Sequence, residues 1–202
     1  RYMRISLVAT SRSGSTYFRR FLCNTFGLYD PGSWLKKNSY DDIEKENWAT
    51  QPHILKILPH YIPEDQNIGK IISEFPCIWL YRKDVLSQFL SHITRLRTKV
   101  NHIHHESERP DIPDGSLIAA KEEFDRFITK LEQFWDIFHT HNLGALVAFE
   151  DFLDDPLITC VDLQEQYGLK IDNRIHTQLP ISLEIDSEKK FENIEEIKGW
   201  FE

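Results

Sequence analysis

Long apolar runs, cysteine pairs and an excess of basic residues are all missing from this chain of 202 residues. Its longest apolar runs, around residues 77–81 and 144–149, are far shorter than the ~20 residues that a membrane-spanning helix needs. The 24 basic and 32 acidic side chains give a formal net charge of −8, whereas a protein that wraps a nucleic-acid backbone is expected to be basic. We therefore expect neither a membrane span nor a nucleic-acid partner.

The three cysteines, Cys23, Cys77 and Cys160, lie far apart inside apolar segments, and no CxxC pair is present. We expect buried reduced thiols rather than a disulfide framework or a zinc site. No signal peptide precedes the first strand-like run, so a cytoplasmic location is expected. With only 8 Gly and 9 Pro against 41% hydrophobic residues, the chain can build one full core, and we predict a single domain over residues 1–202.

Short apolar runs without helical period alternate with segments whose apolar residues recur at helical spacing. This alternation predicts an α/β fold with three layers, in which helices cover both faces of a central parallel sheet. Residues 100–115, rich in Pro and His near charges, are predicted to form a loop. Strands are predicted at residues 4–10, 53–58, 77–81 and 144–149, and helices from residue 15 or 16 to 26, and at about 85–99, 117–139, 156–167 and 194–201.

The loop after the first strand has the sequence Ser11-Arg12-Ser13-Gly14-Ser15-Thr16. In an α/β sheet such a loop points backbone amides at the start of a helix, which attracts anions. Gly14 allows close backbone approach, the hydroxyls add donors, and Arg12 supplies a permanent cation. The loop is neither GxxxxGK[ST], because Gly14 stands where the Lys would be, nor GxGxxG. It predicts an anion site; an ordinary strand–helix turn capped by Ser15 or Thr16 is the alternative.

A second basic motif, Arg82-Lys83-Asp84, ends the third strand, and Ser87 and Ser91 follow at a spacing of four. An Arg at the carboxyl end of a strand and a Ser one to two turns into the next helix can converge on one phosphate. The alternative is a plain helix start, with Asp84 as the cap and Ser91 in solvent. Both interpretations can hold, because capping and ligand binding use different groups.

Together these motifs resemble the sulfotransferases that use 3′-phosphoadenosine 5′-phosphosulfate (PAPS). The SRSGSTY loop is similar to their 5′-phosphosulfate loop, WLYRKDVLSQFLS to their 3′-phosphate motif, and LVAFEDFLDDP to a strand and acidic turn that follow later. The branch with an SRSGST loop and R-[RK]-D-x-x-x-Q-x-x-S, which includes bacterial enzymes acting on sugars, is the most similar. The resemblance implies a P-loop-like sulfotransferase fold, PAPS as donor and 3′-phosphoadenosine 5′-phosphate (PAP) as product. It also implies a small-molecule or carbohydrate acceptor and no metal.

The resemblance also implies roles for single residues. Arg12 stands where many members have a Lys that contacts the 5′-phosphate and the bridging oxygen, so it would stabilise charge on the leaving group. Arg82 and Ser91 would bind the 3′-phosphate, with Lys83 and Ser87 as the alternative pair. The other loop positions would hold the 5′-phosphosulfate through amides and hydroxyls: Ser11, Ser13, Gly14, Ser15, Thr16 and Tyr17.

Two residues are candidates for the general base that the acceptor requires. His60 follows Lys56-Ile57-Leu58-Pro59, two places away from the His of the KTHLP-like segment in the cytosolic branch. Asp30 stands near the place where the sugar-modifying branch has a Glu, shortly after the first helix. We rank His60 ahead of Asp30 and assign Lys56 a supporting charge. The structural alternatives are a surface His and a turn-forming Asp, and Glu150-Asp151 is interpreted as capping and turn structure.

The cluster His102, His104, His105 and Glu106 does not predict a metal site, because clustered His in a polar loop rarely hold a metal without partners elsewhere. Two other functions remain open. One is a nucleotide kinase or NTPase of related architecture, although the loop Lys and a clear Asp–Mg²⁺ arrangement are missing. The other is a nucleotide-binding module of the same fold that has lost its base. The sequence does not indicate the acceptor or the oligomeric state.

Overall fold

The computed structural model describes residues 3–62, 67–100, 110–172 and 187–202. The chain divides into two compact units. The first consists of Arg1–Lys83 and Glu132–Leu179, and the second of Asp84–Leu131 and Pro180–Glu202. That residues 1–202 form one domain stays a prediction.

A four-stranded parallel sheet lies in the first unit. Its strands are β1 (Arg4–Ala9), β2 (His53–Ile57), β3 (Cys77–Tyr81) and β4 (Ala145–Ala148), in the order β2-β1-β3-β4. Each strand falls within its predicted range, and every pairing is parallel as predicted. Because the strands are parallel, their carboxyl ends meet at one edge of the sheet, where ligands of open α/β sheets bind.

Seven α-helices accompany the strands in the described residues. The helix α1 ends at the predicted Gly27, whose φ of 64° suits glycine, and α6 begins at the predicted Pro156. The short helices α2 and α5 were not predicted. In chain order the helices are α1 (Ser15–Phe26), α2 (Ile68–Ser73), α3 (Val85–Thr98), α4 (Lys121–His141), α5 (Phe149–Asp154), α6 (Pro156–Tyr167) and α7 (Ile194–Gly199).

Both faces of the sheet are covered, which confirms the predicted α/β layering. Successive residues of a strand point to opposite faces, so neighbouring residues join different cores. On one face, Leu7 and Ile78 pack with α1, α5 and α6. On the other face, Val8 and Trp79 pack with α2, the second part of α4 and three 3₁₀ helices. These 3₁₀ helices, which were not predicted, span Trp34–Lys36, Tyr40–Lys45 and Asn47–Thr50.

The second unit contains α3, the first part of α4 and α7. Its core is aromatic and aliphatic, with Phe89 fully buried between Phe124 and Phe127. The predicted cap of α3 is confirmed, because the Asp84 carboxylate accepts a hydrogen bond from the Ser87 N–H at 2.8 Å.

Helix α4 begins at Lys121 and not at residue 117 as predicted. The reason is that Leu117 forms an isolated parallel bridge with Phe191, and its N–H donates to the Lys190 carbonyl at 2.9 Å. At the true start, the Glu123 side chain accepts a hydrogen bond from the Ala120 N–H at 3.0 Å. The apolar pattern that predicted a helix from residue 117 therefore begins about one turn before the helix itself.

The cysteines agree with the prediction made from composition. Cys23, Cys77 and Cys160 are free and buried, as predicted, and burial raises the pKa of the Cys23 thiol to about 12. Among the described residues, no helix is long and apolar enough to cross a membrane.

Candidate functional site

The loop between β1 and α1 has an unusual backbone at two positions. Arg12 has a φ of 64° and Gly14 a φ of 78°, both in the left-handed region that L side chains rarely adopt. Ser13 is fully buried, and its hydroxyl donates to the Thr10 carbonyl at 2.9 Å. The Ser13 side chain therefore shapes the loop, and the ligand role of this residue stays a prediction.

The cap of α1 differs from the prediction. Gly14 occupies the N-cap position, no side chain makes a capping hydrogen bond there, and Ser15 is the buried first residue of the helix. The prediction that Ser15 or Thr16 caps the helix is therefore wrong. A helix start without a side-chain cap leaves backbone N–H groups for an anion, and the helix dipole favours negative charge there.

Gly14 is also in close contact with the turn after β4. A Cβ atom added at Gly14 would lie 2.3–2.5 Å from three ring atoms of Phe149, a side chain that is itself buried. Tyr17, predicted as a loop residue of the cofactor site, packs edge-on against the same ring at 6.0 Å between centroids. Only glycine satisfies both the backbone conformation and the space at position 14.

We expect Gly14→Ala to destabilise the protein more than an alanine at another glycine of positive φ. Gly168, at the end of α6, has a φ of 65° and nothing within 4 Å of its Cβ position, so Gly168→Ala measures the backbone penalty alone. The additional loss in Gly14→Ala, about 1–3 kcal/mol for overpacking, should appear in urea unfolding curves. Equal losses in the two variants would contradict the close packing of Phe149 on the loop.

Lys56 is near the carboxyl end of β2, and its side chain reaches the start of α1. Its Nζ donates to the Thr16 hydroxyl at 3.3 Å, although the two residues are 40 positions apart in the chain. Lys56 is only 8% exposed, and burial lowers its pKa to about 8, with further lowering by Arg19 and Arg12. The structure thus brings the predicted supporting cation to the loop.

His60 lies in a 3₁₀ helix, Pro59–Tyr61, directly after β2. Its Nε2 is 3.1 Å from the Ser11 hydroxyl, across 49 positions of sequence. Its displacement by two places from the family pattern therefore does not take it away from the loop, because the 3₁₀ turn carries the ring to Ser11.

Asp30 has a different environment. Its carboxylate is 2.9 Å from the Nε of the buried Arg19 and accepts a hydrogen bond from the Gly32 N–H at 2.7 Å. Arg19 also donates to the Gly32 carbonyl at 2.5 Å. Asp30 thus neutralises a buried cation and holds a turn, which favours the structural interpretation over the role of base.

The predicted 3′-phosphate motif has partners in the first unit. Arg82 Nε donates to Glu150 Oε1 at 3.2 Å, and the Lys83 N–H donates to Glu150 Oε2 at 3.0 Å. The Lys83 ammonium pairs with Asp151. The interpretation of Glu150 and Asp151 as capping and turn structure is therefore incomplete, since they hold the basic pair.

Members of both predicted pairs already bind carboxylates. Arg82 binds Glu150, the ammonium of Lys83 is paired with Asp151, and the Ser87 hydroxyl donates to Asp84 at 2.6 Å. Arg82 belongs to the first unit, and Ser91, one turn beyond Ser87 on α3, belongs to the second. Their convergence on one phosphate stays a prediction.

Two solved structures are similar to this one over nearly the whole chain. The sulfotransferase STF1 of Mycobacterium tuberculosis H37Rv matches with a TM-score of 0.55 and 12% identity, covering 99% of this chain and 76% of that one. A sulfotransferase of Alicyclobacillus acidocaldarius matches with a TM-score of 0.54 and 13% identity, covering 100% and 92%. The chain has a sulfotransferase-like fold. The resemblance that the sequence motifs indicated is confirmed at the level of the fold, which is all that such low identity shows.

No family model matches the chain, and no curated protein matches its sequence. Within the sulfotransferase-like fold, the first unit brings together the loop, Lys56 and His60 at the carboxyl edge of the sheet. In the described residues no group of three or more His, Cys, Asp or Glu side chains could hold a metal. The cluster of His102, His104, His105 and Glu106 lies outside the described residues.

Sequence reasoning missed two residues of this region, Phe149 and Glu150. Phe149 was predicted to end a strand, but β4 stops at Ala148 and Phe149 begins α5. The signal was present as the acidic pair that directly follows an apolar strand, but the sequence did not indicate which basic residues it faces.

Proposed function

We propose that the protein transfers a sulfuryl group from PAPS to a hydroxyl or amine of a small-molecule or carbohydrate acceptor. The observation that carries this proposal is the convergence on one loop of a cation and a potential base. Lys56 contacts Thr16 at 3.3 Å and His60 contacts Ser11 at 3.1 Å, at either end of a loop whose helix lacks a side-chain cap. The fold supports the same conclusion.

The described residues fit a doubly charged, elongated anion at the loop. Gly14 is the N-cap of α1 and no side chain caps the helix there, so its first backbone amides suit an anion, and Arg12 and Lys56 supply positive charge. These groups explain how a protein with a net charge of −8 could bind an anionic donor, because a local field and not the net charge governs a site.

PAPS, when bound, supplies an electrophilic sulfur with a good leaving group, so the protein's task is mainly positioning and charge stabilisation. Arg12 and Lys56 stabilise negative charge that develops on the bridging oxygen. Arg12 stays protonated at all ordinary pH values, so its contribution is electrostatic and not proton transfer. His60 takes the proton that the acceptor loses as its oxygen or nitrogen bonds to sulfur.

Arg82 and Ser91 are proposed to bind the 3′-phosphate. The support is the order of the motifs along the chain and the contact of Arg82 with Glu150 through its Nε at 3.2 Å. A guanidinium held through its Nε presents its two outer nitrogens together, which suits a phosphate.

Calorimetric titration of the wild type with PAP, AMP and ATP, with and without Mg²⁺, tests the proposal. We expect PAP to bind more tightly than AMP and ATP, and Arg82→Ala to lose that preference. Arg126→Ala, an exposed Arg on α4 whose Nε donates to the Glu122 carbonyl, is the control and should bind like the wild type. A preference for ATP with Mg²⁺ would favour the kinase, and absence of PAP binding would overturn the sulfotransferase proposal.

A screen with radiolabelled PAPS against phenols, amines and sugars then separates an enzyme from a binding module. Transfer to any acceptor establishes catalysis. Tight PAP binding without transfer across all these acceptor classes would favour the module that has lost its base.

The lowered pKa of Lys56 predicts a pH dependence of nucleotide binding. Lys56 is charged below about pH 8 and neutral above it, so PAP affinity should be constant near pH 7 and fall above pH 8, by at most about tenfold per pH unit for one linked proton. Lys56→Arg should remove this dependence between pH 7 and 9.5, because arginine stays charged. Calorimetry in buffers of different ionisation enthalpy would also detect proton uptake on binding above pH 8. The same pH profile in the wild type and in Lys56→Arg would contradict the assignment.

A further inference from the structure

One carboxylate, that of Glu150, binds the carboxyl end of β3 at two points. Its Oε1 accepts from the Arg82 side chain at 3.2 Å, and its Oε2 accepts from the Lys83 backbone N–H at 3.0 Å. Both side chains of the ion pair are about three-quarters buried, at 22% and 28% exposure. A partly buried contact of this kind orients a side chain more firmly than a surface ion pair does.

The contact uses the inner nitrogen of the guanidinium. Arg82 meets Glu150 through Nε, and its two outer nitrogens make no hydrogen bond with any other residue that the structure describes. Glu150 therefore directs the outer edge of the guanidinium away from itself. An arginine held in this way can still form the paired hydrogen bonds by which it binds phosphate.

The residue before Glu150 links the same turn to the other motif. The ring of Phe149 lies under Gly14, 2.3–2.5 Å from the Cβ position of that residue. The Arg82 guanidinium carbon lies 5.9 Å from the centroid of the same ring. Two consecutive residues at the start of α5 thus contact both the β1–α1 loop and the basic end of β3.

We propose that Glu150 is a positioning residue for recognition of the nucleotide 3′-phosphate, acting through Arg82, and that the Phe149-Glu150 turn aligns Arg82 with the β1–α1 loop. The inference rests on the proposed function and deepens it, because it names the group that sets the orientation of the 3′-phosphate ligand. Glu150 itself does not contact the nucleotide. Its negative charge lowers the general attraction for anions while its hydrogen bonds raise the selectivity for one of them.

The test measures selectivity and not affinity alone. The ratio of the AMP to the PAP dissociation constant reports the contribution of the 3′-phosphate, and we expect Glu150→Ala to lower it about tenfold, as for loss of a charged hydrogen bond. Glu150→Gln, which keeps one acceptor and the side-chain volume, should lower it less. AMP affinity should stay constant or rise, because a nearby negative charge has been removed.

Two controls separate positioning from structural and general charge effects. Asp151→Asn removes the neighbouring carboxylate, which pairs with Lys83 and not with Arg82, and should leave the ratio unchanged. In the Arg82→Ala background, Glu150→Ala should have no further effect on the ratio, since Glu150 acts through Arg82. Thermal unfolding shows that each variant is folded, and Glu150→Gln serves if Glu150→Ala does not fold.

The outcomes are distinguishable. A wild type without preference for PAP over AMP would overturn the proposed function and this inference together. A wild type that prefers PAP, with the same ratio in Glu150→Ala, would overturn this inference alone. A higher ratio in Glu150→Ala would show that Glu150 competes with the phosphate for Arg82, and an equal loss in Asp151→Asn would show an effect of net charge.

Discussion

Replacing Arg12 by glycine is expected to lower kcat for sulfuryl transfer by about 10²–10³-fold, the usual effect of removing one group that stabilises developing charge. The same substitution should leave the protein as stable as the wild type or more stable. Arg12 has a φ of 64°, a conformation that costs a non-glycine residue roughly 1–2 kcal/mol and that glycine adopts freely. Strained backbone of this kind clusters at functional sites, which agrees with the role proposed for Arg12.

The measurement pairs kcat, with PAPS and an acceptor from the screen, with urea unfolding of the same variant. Arg12→Lys keeps a cation and the backbone strain, so it should keep most of the activity and the wild-type stability. Full activity in Arg12→Gly would contradict the electrostatic role of Arg12. A loss of stability would contradict the strain at this position.

Replacing His60 by alanine is expected to lower kcat by about 10²–10⁴-fold, the range for a general base, with little change in PAP affinity. His60 Nε2 already lies 3.1 Å from Ser11 at the loop, so an acceptor that approaches the loop meets the imidazole. Added imidazole should restore part of the rate in His60→Ala, because it can take the proton in place of the missing side chain.

Two variants serve as controls for His60. Ser11→Ala removes the hydroxyl that contacts His60 and shows how much of the effect passes through the loop. His139→Ala changes an exposed His on α4 whose ring packs on Trp135, and it should leave kcat unchanged. If His60→Ala weakened PAP binding and left kcat intact, His60 would be a support for the loop and not a base.

Much of the fold could be predicted because its signals are local. The apolar runs of β1 to β4, the glycine that ends α1, the Asp84 cap and the Pro156 start each depend on residues close together in the chain. The start of α4 was predicted one turn early because Leu117 pairs with Phe191. This contact joins residues 74 positions apart, and a local hydrophobic pattern does not indicate it.

The candidate site was predictable in its parts and less so in its contacts. The sequence indicated the loop after β1, the basic motif after β3 and their order along the chain. It also indicated the charges on Arg12, Lys56 and Arg82. The ion pair of Asp30 was not predictable, because nothing local indicates that a buried Arg19 lies against it, although the turn-forming alternative was named. Glu150 was interpreted as turn structure for the same reason, since its partner Arg82 is 68 positions away.

The sequence by itself determined the strand and helix segments and the residues proposed for the site, because hydrophobic periodicity, helix caps and the glycine and proline signals act over a few residues. Only the tertiary structure decided that Gly14 caps α1, that His60 meets Ser11, that Lys56 meets Thr16 and that Glu150 holds Arg82. Those contacts depend on the strand order β2-β1-β3-β4, which sets which strand ends are neighbours. A local pattern predicts that a strand exists but does not indicate its position in the sheet, and that position decides which side chains meet at the carboxyl edge.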